Sequence, residues 1–169
     1  MKAVRTTRPF DHSRFRSVLG HIPTGIAAIC AVDAGEPVGL AANSFTSVSL
    51  DPPLVGFFPG KFSSSWPRVL AAGGFTANIL GDDQEHVCRA LAARGGDKFA
   101  GLGWRPAGNG APILDGVTAW IECEIVSVTD AGDHWFALGR VLDLEVAEQP
   151  RPLVFFRGGY ARISALPAA

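Results

Sequence analysis

From Val38 to Val55 the chain reads Val-Gly-Leu-Ala-Ala-Asn-Ser-Phe-Thr-Ser-Val-Ser-Leu-Asp-Pro-Pro-Leu-Val, a hydroxyl-rich stretch of small residues between two apolar runs. A strand that only builds a core alternates large apolar with polar side chains. Here Ala41, Ala42, Asn43, Ser44, Thr46, Ser47 and Ser49 bring many hydrogen-bonding groups and little bulk, with Phe45 the one ring among them. Such a wall suits a flat, polar-edged ring lying against backbone N–H groups. Alone it is equally an ordinary sheet edge. Gly132-Asp-His-Trp-Phe-Ala-Leu-Gly-Arg-Val141 and Arg151-Pro-Leu-Val-Phe-Phe-Arg-Gly-Gly-Tyr160 weigh against that plainer account.

Composition narrows the classes. A chain of 169 residues makes one domain, 1–169 with a core from about 11 to 164, long enough to bury a proper interior. At 47% hydrophobic and 18% charged it is too apolar for disorder. Its net charge of -1 leaves no electrostatic footprint for nucleic acid. The first nine residues are polar, without the apolar centre of a signal peptide. No run approaches the about 18 apolar residues of a membrane span. Cys30, Cys88 and Cys123 are far apart in apolar surroundings, which favours buried thiols in a reducing compartment and a cytoplasmic location. His12, His21 and His86 have no metal-ligand spacing with one another or with the cysteines, so no metal is expected.

The periodicities predict a mainly β chain with short helices. A helix is expected over about 11–20, capped by Asp11, with Phe15, Val18, Leu19 and Ile22 on one face. Ile26 to Val32 and Val38 to Ala42 read as strands joined by a turn at Asp33-Ala-Gly-Glu36, and Leu54 to Phe58 as a third. Ser64 or Ser65 can cap a helix with Pro67 in its first turn. Phe75 to Leu80 is a strand, and Asp82-Asp-Gln-Glu85 resembles a capping box for the next helix. Residues 101–112 read as a long irregular connection. In 117–126, Val117, Ala119, Ile121, Cys123 and Ile125 share one face, and Thr118, Trp120, Glu122 and Glu124 the other. Phe136, Leu138, Leu142, Leu144 and Val146 alternate after the turn at Asp130-Ala-Gly-Asp133, and Leu153 to Phe156 is a last strand. Antiparallel strands with few helices argue for a β-barrel or sandwich, and the lack of βαβ alternation disfavours a Rossmann sheet.

Four segments offer binding chemistry. Lys61-Phe62-Ser63-Ser64-Ser65-Trp66 precedes a helix start with three hydroxyls and one ammonium, either a phosphate cradle or a plain serine cap beside a solvated lysine. Gly132-Asp133-His134 places an imidazole at a strand mouth, where it can donate to a cofactor or simply occupy a surface turn. Phe156-Arg157-Gly158-Gly159-Tyr160 either lines a pocket for a nicotinamide or adenine ring, or is a turn whose Tyr160 packs on the barrel. Asp97-Lys98-Phe99 can put a positive charge over a flavin or its phosphate, or lie in a solvated loop. Gly-x-Gly-x-x-Gly, Walker and Gly-x-Ser-x-Gly sequences are all absent.

Taken in order, these segments resemble the short-chain flavin reductases, the reductase components of two-component flavin-dependent monooxygenases. The resemblance runs through Phe15-Arg-Ser-Val-Leu-Gly20, Pro23-Thr-Gly-Ile26, Val38-Gly-Leu40, Ser44-Phe-Thr-Ser47 and Pro52-Pro-Leu-Val55. It continues through Lys61, Ser63, Ser65-Trp66, Asp97-Lys-Phe-Ala-Gly101, Trp104-Arg-Pro106, Gly132-Asp-His134, Arg151-Pro-Leu153 and Arg157-Gly-Gly-Tyr160. It implies an FMN-binding split β-barrel with a Greek-key core, assembled as a homodimer. It also implies an NAD(P)H:flavin oxidoreductase that reduces FMN, or FAD, by hydride transfer and supplies a partner monooxygenase. NADH is the expected donor, with NADPH as the alternative. By matched position, Ala41 to Ser47 and Ser49 would meet the flavin ring and ribityl chain. Lys61, Phe62, Ser63, Ser64 and Ser65 would fall near its phosphate, with Lys98 and Phe99 beside it. His134, acting as the catalytic-site residue, would face the nicotinamide with Phe156, Arg157, Gly158 and Tyr160. The rival from another class is a non-enzymatic flavin- or haem-binding carrier or sensor on the same barrel, which needs neither Gly132-Asp-His134 nor Arg157-Gly-Gly-Tyr160. A pyridoxamine-phosphate-type oxidase would need a more basic pocket. Neither nucleic acid nor membrane is an expected partner.

Overall fold

A computed structural model describes residues 10–147 and 151–164. Its elements are α1 (His12–Leu19), β1 (Thr24–Gly25), β2 (Ala27–Asp33), β3 (Glu36–Ala42), β4 (Thr46–Leu50), β5 (Pro53–Phe57), α2 (Trp66–Ala72) and β6 (Gly74–Ile79). There follow α3 (Glu85–Ala92), β7 (Trp104–Pro106), β8 (Pro112–Leu114), β9 (Ala119–Ala131), β10 (His134–Val146), β11 (Leu153–Phe156) and β12 (Gly159–Arg162). No described helix is long and apolar enough to cross a membrane.

Seven strands form one antiparallel sheet in the order β3-β2-β6-β9-β10-β5-β4. Its two edges, β3 and β4, are consecutive in the chain and are joined only by residues 43–45. Four Cα steps reach at most about 14 Å, so the edges must come together and the sheet must curl into a split barrel. The β2–β3 hairpin turns on Ala34 and Gly35, both left-handed (φ 52 and 83), the geometry whose twist suits a two-residue turn. Between β4 and β5 lies the Asp51-Pro52 cis bond.

Strand β2 is buried on both faces. Ala27, Ile29 and Ala31 point into the barrel, where Phe57 meets Trp66 and Phe75 edge-on at 5.6 and 5.3 Å. Ile26, Ala28 and Cys30 point the other way, into a second core with Leu80, Leu91 and Phe99. The free thiols lie inside, and burial pushes Cys30 up and Cys123 up to about 12. A small sheet, β1-β11-β12, flanks the second core. The β11–β12 strands were expected only as far as Phe156; a second turn on Arg157 and Gly158 (φ 51 and 79) returns the chain as β12.

Several local expectations change in three dimensions. The 101–112 connection is not irregular: β7 and β8 pair as a hairpin. The segment covers the face of β9 that reads as polar. Trp120 joins the second core, and Glu122, only 6% exposed, accepts the Gly108 N–H at 3.0 Å. A buried carboxylate needs such a donor, and alternation inside one strand cannot announce it. Asp11 does cap α1, accepting from the Ser13 and Arg14 amides at 2.9 and 3.1 Å. Yet no α1 residue is buried, and Phe15, Val18, Leu19 and Ile22 are all exposed. The capping box ahead of α3 does not form. Gln84 occupies the cap position, and its side chain instead accepts from Gly81 N–H (2.9 Å) and donates to Asp115 (2.7 Å). Asp82 receives Arg162 and Arg151. At α2, Ser65 is the N-cap residue but the hydroxyl that accepts the Trp66 N–H is that of Ser63, at 3.2 Å. In β10 the register shifts after Leu138 and again after Val141, and Leu142, Leu144 and Val146 stand exposed.

Candidate functional site

A cleft of about 370 Å³ opens where the start of β3 passes the N-terminal end of α2 and the 95–99 loop. Its walls include Val38, Gly39, Ser64, Ser65, Arg68 and Lys98. Gly39 is required by the close approach: a Cβ there would lie 3.0 Å from Leu91 Cδ2 and 3.3 Å from Phe99 Cζ. Lys98 reaches in with its ammonium donating to Ser65 Oγ (3.0 Å) and the Leu91 carbonyl (2.9 Å). Burial lowers its pKa, and among the described residues no carboxylate pairs with it. Its neighbour Asp97 is turned toward the Phe99 N–H at 2.9 Å. Arg68 adds a second cation, shared with Asp33 at 2.8 Å. Glu36 and Asp97 also line the cleft, but no carboxylate is within ion-pair distance of Lys98, and a partly desolvated ammonium beside hydroxyls can take an anion. Phe99 itself is 7% exposed and belongs to the second core as much as to the cleft.

Farther along the same strand lies the hydroxyl-rich link. At about 3.3 Å per residue, Asn43 is some 13 Å beyond Gly39. No acceptor among the described residues takes the N–H of Asn43, Ser44 or Phe45. Phe45 packs on the barrel core, and Ser44 Oγ accepts the Phe58 N–H at 3.0 Å, which shapes the link. Thr46 and Ser47 are exposed on edge strand β4, where a bulge between Ser47 and Ser49 re-aims the side chains. Ala41 and Ala42 face the second core and the barrel core.

The β9–β10 turn carries His134. Its Nδ1 lies 2.7 Å from Asp133 Oδ1. Facing a carboxylate, Nδ1 is the donating ring nitrogen, and Nε2 lies on the side of Gly60. The His134 hydrogen bond, with Arg16 of α1 contributing, keeps the Asp133 carboxyl below its usual range. The C-terminal hairpin presents Phe156, edge-on to His21 at 6.2 Å, and Arg157, whose N–H donates to the Gly20 carbonyl at 2.8 Å.

The sequence-derived candidates therefore separate into groups. Ser64, Ser65, Lys98 and Phe99 share the cleft, with Ser63 just outside as the α2 cap. Lys61 does not line it: its ammonium is paired with Asp130 and sits 4.7 Å over the Trp135 ring. Phe62 projects outward, 91% exposed. Tyr160 is turned inward, donating its hydroxyl to Cys88 Sγ at 3.4 Å, with Phe155 and Arg89 against its ring. That bond and burial push its pKa up to about 12. Of the two sequence-level alternatives for Tyr160, packing on the barrel describes the contacts. Gly39 and Arg68 are among the cleft residues that the sequence-derived candidates left out. Arg68 follows Ser65 by three residues, one helical turn, the only local sign that it shares that face.

A family model described as "Flavin reductase like domain" matches residues 19–164. The chain is 48% identical over 157 residues to a flavin reductase of Pseudomonas putida, covering 92% of each. It is 46% identical over 153 residues to HsaB, the reductase subunit of a flavin-dependent monooxygenase of Rhodococcus jostii (strain RHA1), covering 90% of this chain and 78% of that one. The crystal structure of nitrilotriacetate monooxygenase component B from Mycobacterium thermoresistibile superposes with a TM-score of 0.89 at 46% identity, over 94% of this chain and 92% of that one. With the curled antiparallel barrel and a matched stretch spanning nearly all the described residues, the chain belongs to the flavin reductase like family.

Proposed function

We propose that this chain is an NAD(P)H-dependent flavin reductase that takes FMN as substrate, with FAD as the alternative, and hands reduced flavin to a separate monooxygenase. The observation that carries the reading is that Lys98, in the cleft beside Gly39 of β3, has no ion-pair partner among the described residues, while about 13 Å beyond Gly39 the Asn43, Ser44 and Phe45 amides have no acceptor among those residues. Phosphate belongs with Lys98, Ser64, Ser65 and Arg68, where charge-assisted bonds replace water. The polar edge of a flavin belongs with the Asn43, Ser44 and Phe45 amides and the hydroxyls of Thr46, Ser47 and Ser49. Amides fixed by the barrel act there without reorganising when negative charge develops.

The bound nicotinamide supplies a hydride and the flavin accepts it; the chain contributes position. His134, held by Asp133, offers Nε2 to the N–H of a carboxamide, and Phe156, Arg157 and Gly158 wall the same side. NADH is the assigned donor and NADPH the alternative. The uncovered apolar face of α1, where Phe15, Val18 and Ile22 are exposed, supports a homodimer. Buried, unpaired thiols support a cytoplasmic setting.

The test is loss of NADH absorbance with purified protein, with and without FMN, repeated with FAD and NADPH. Flavin-dependent turnover is expected, fastest with FMN and NADH. Flavin binding without turnover would overturn the reductase reading in favour of a carrier or sensor.

A further inference from the structure

Lys61 has no place in the phosphate cleft, yet it is the most heavily engaged residue of its segment. Its ammonium pairs with Asp130 and lies over the Trp135 ring, and its N–H donates to the Asp133 carbonyl at 3.0 Å. On either side the same zipper continues. Trp135 N–H donates to the Pro59 carbonyl at 2.9 Å, and Gly60 bridges to His134. A Cβ on Gly60 would come within 3.8 Å of His134 Nε2. Asp130 works on the other limb of the turn: Oδ2 takes Lys61 while Oδ1 accepts the Gly132 N–H at 3.2 Å. Those two contacts hold its carboxyl below the usual range. The turn that presents His134 is thus tied to residues 59–61 by two backbone hydrogen bonds, and the Lys61–Asp130 ion pair is the one side-chain tie added to them.

We infer that Lys61 and Asp130 are positioning residues for His134, and that Lys61 serves the nicotinamide side of the reaction rather than the flavin phosphate. The inference rests on the reading of His134 as the nicotinamide-facing group. The ion pair is half-exposed, so its direct strength is modest. Its leverage is geometric: it sets where a half-exposed imidazole stands relative to the ring it must meet, and small displacements there weaken binding and alignment.

The experiment is steady-state kinetics on Lys61→Met, Asp130→Asn, the double variant, Lys61→Arg and His134→Ala, with FMN affinity measured in parallel by fluorescence quenching. Lys61→Met and Asp130→Asn should each raise KM for NADH about three- to fivefold, the scale of a half-exposed ion pair, with kcat and FMN Kd within about twofold of wild type. The double variant should be no worse than either single one, because the partners act as a unit. Lys61→Arg should restore KM. A rise in FMN Kd in Lys61→Met, with NADH KM unchanged, would overturn the inference and return Lys61 to the phosphate. Unchanged KM in the pair variants alongside a raised KM in His134→Ala would overturn it while leaving His134 in its role. Unchanged KM in His134→Ala would remove the nicotinamide reading itself, and this inference with it.

Discussion

Asn78 offers the sharpest test of how the barrel is held to its outer layer. It is fully buried on β6, and its carboxamide spans two elements. Nδ2 donates to the Pro112 carbonyl (3.0 Å), Thr76 Oγ1 (3.1 Å) and the Ala28 carbonyl (3.3 Å). Oδ1 accepts the Leu114 N–H at 2.9 Å. Asn78→Ala strands that N–H in a buried site, at about 1–3 kcal/mol. The lost carboxamide, roughly 25 Å³, adds about 0.6 kcal/mol of cavity cost, and the abandoned acceptors, Thr76 Oγ1 and the Ala28 carbonyl, about 1 kcal/mol more. The Pro112 carbonyl is spared because Thr76 Oγ1 also donates to it. The total is about 2.6–4.6 kcal/mol, or about 5–18 °C in Tm for a domain of this size. Asn78→Asp separates polarity from shape. It keeps the acceptor for Leu114 but turns a second oxygen toward three acceptors, so burial and repulsion raise its folded pKa above the unfolded value of about 3.9. A raised folded pKa means the stability is present below the unfolded pKa and lost as pH rises through the folded one. The gap to wild type should therefore widen from about pH 4 to pH 8, by about 2.7 kcal/mol for a rise of about two units. Urea unfolding of flavin-free protein at one fixed concentration reads both variants, since ligand and association would otherwise shift the midpoint. A cost below about 1 kcal/mol for the alanine variant, or a pH-independent gap for the aspartate one, would refute the assignment of Asn78 as the staple.

Other expectations follow from single contacts. Lys98→Met should weaken FMN binding about 10- to 100-fold, the scale of one charge-assisted bond, with NADH KM much less affected; an unchanged FMN Kd by fluorescence titration would remove the phosphate from that cleft. Gly139→Ala places a Cβ 2.8 Å from Phe75 Cζ inside the barrel, so denaturant unfolding should show a loss of about 1–3 kcal/mol. Tyr160→Phe removes only the hydroxyl bond to Cys88; stability should drop by under about 1 kcal/mol with NADH KM unchanged. A raised KM in that variant would return Tyr160 to the nicotinamide pocket.

Much of this protein was set by short-range chemistry that a sequence carries on its face. Asp11 followed by helix formers starts α1 because its carboxylate can reach two amides within one turn. Ala34-Gly35 makes a tight hairpin because glycine accepts a left-handed backbone. The short apolar runs in 26–32, 38–42 and 153–156, bounded by turn residues, become strands buried on their faces. The ordered motifs from Phe15 to Tyr160 pointed to the family for the same reason: the residue types that handle a flavin remain visible in order. What no local pattern could decide is which charge meets which partner. Lys61 and Lys98 look alike in sequence, yet one is neutralised by Asp130, sixty-nine residues away, while the other is held against Ser65 with no carboxylate partner among the described residues. Glu122 reads as a surface residue and is buried, because the β7–β8 hairpin, whose Gly108 lies fourteen residues upstream, folds over it. Tyr160, which in sequence fits either a pocket wall or a packed turn, is set against Cys88. Each of these outcomes depends on contacts between distant segments, created only when β3 and β4 are drawn together and the sheet curls; the donors, acceptors and charges were written in the chain, and the closure of the barrel chose among them.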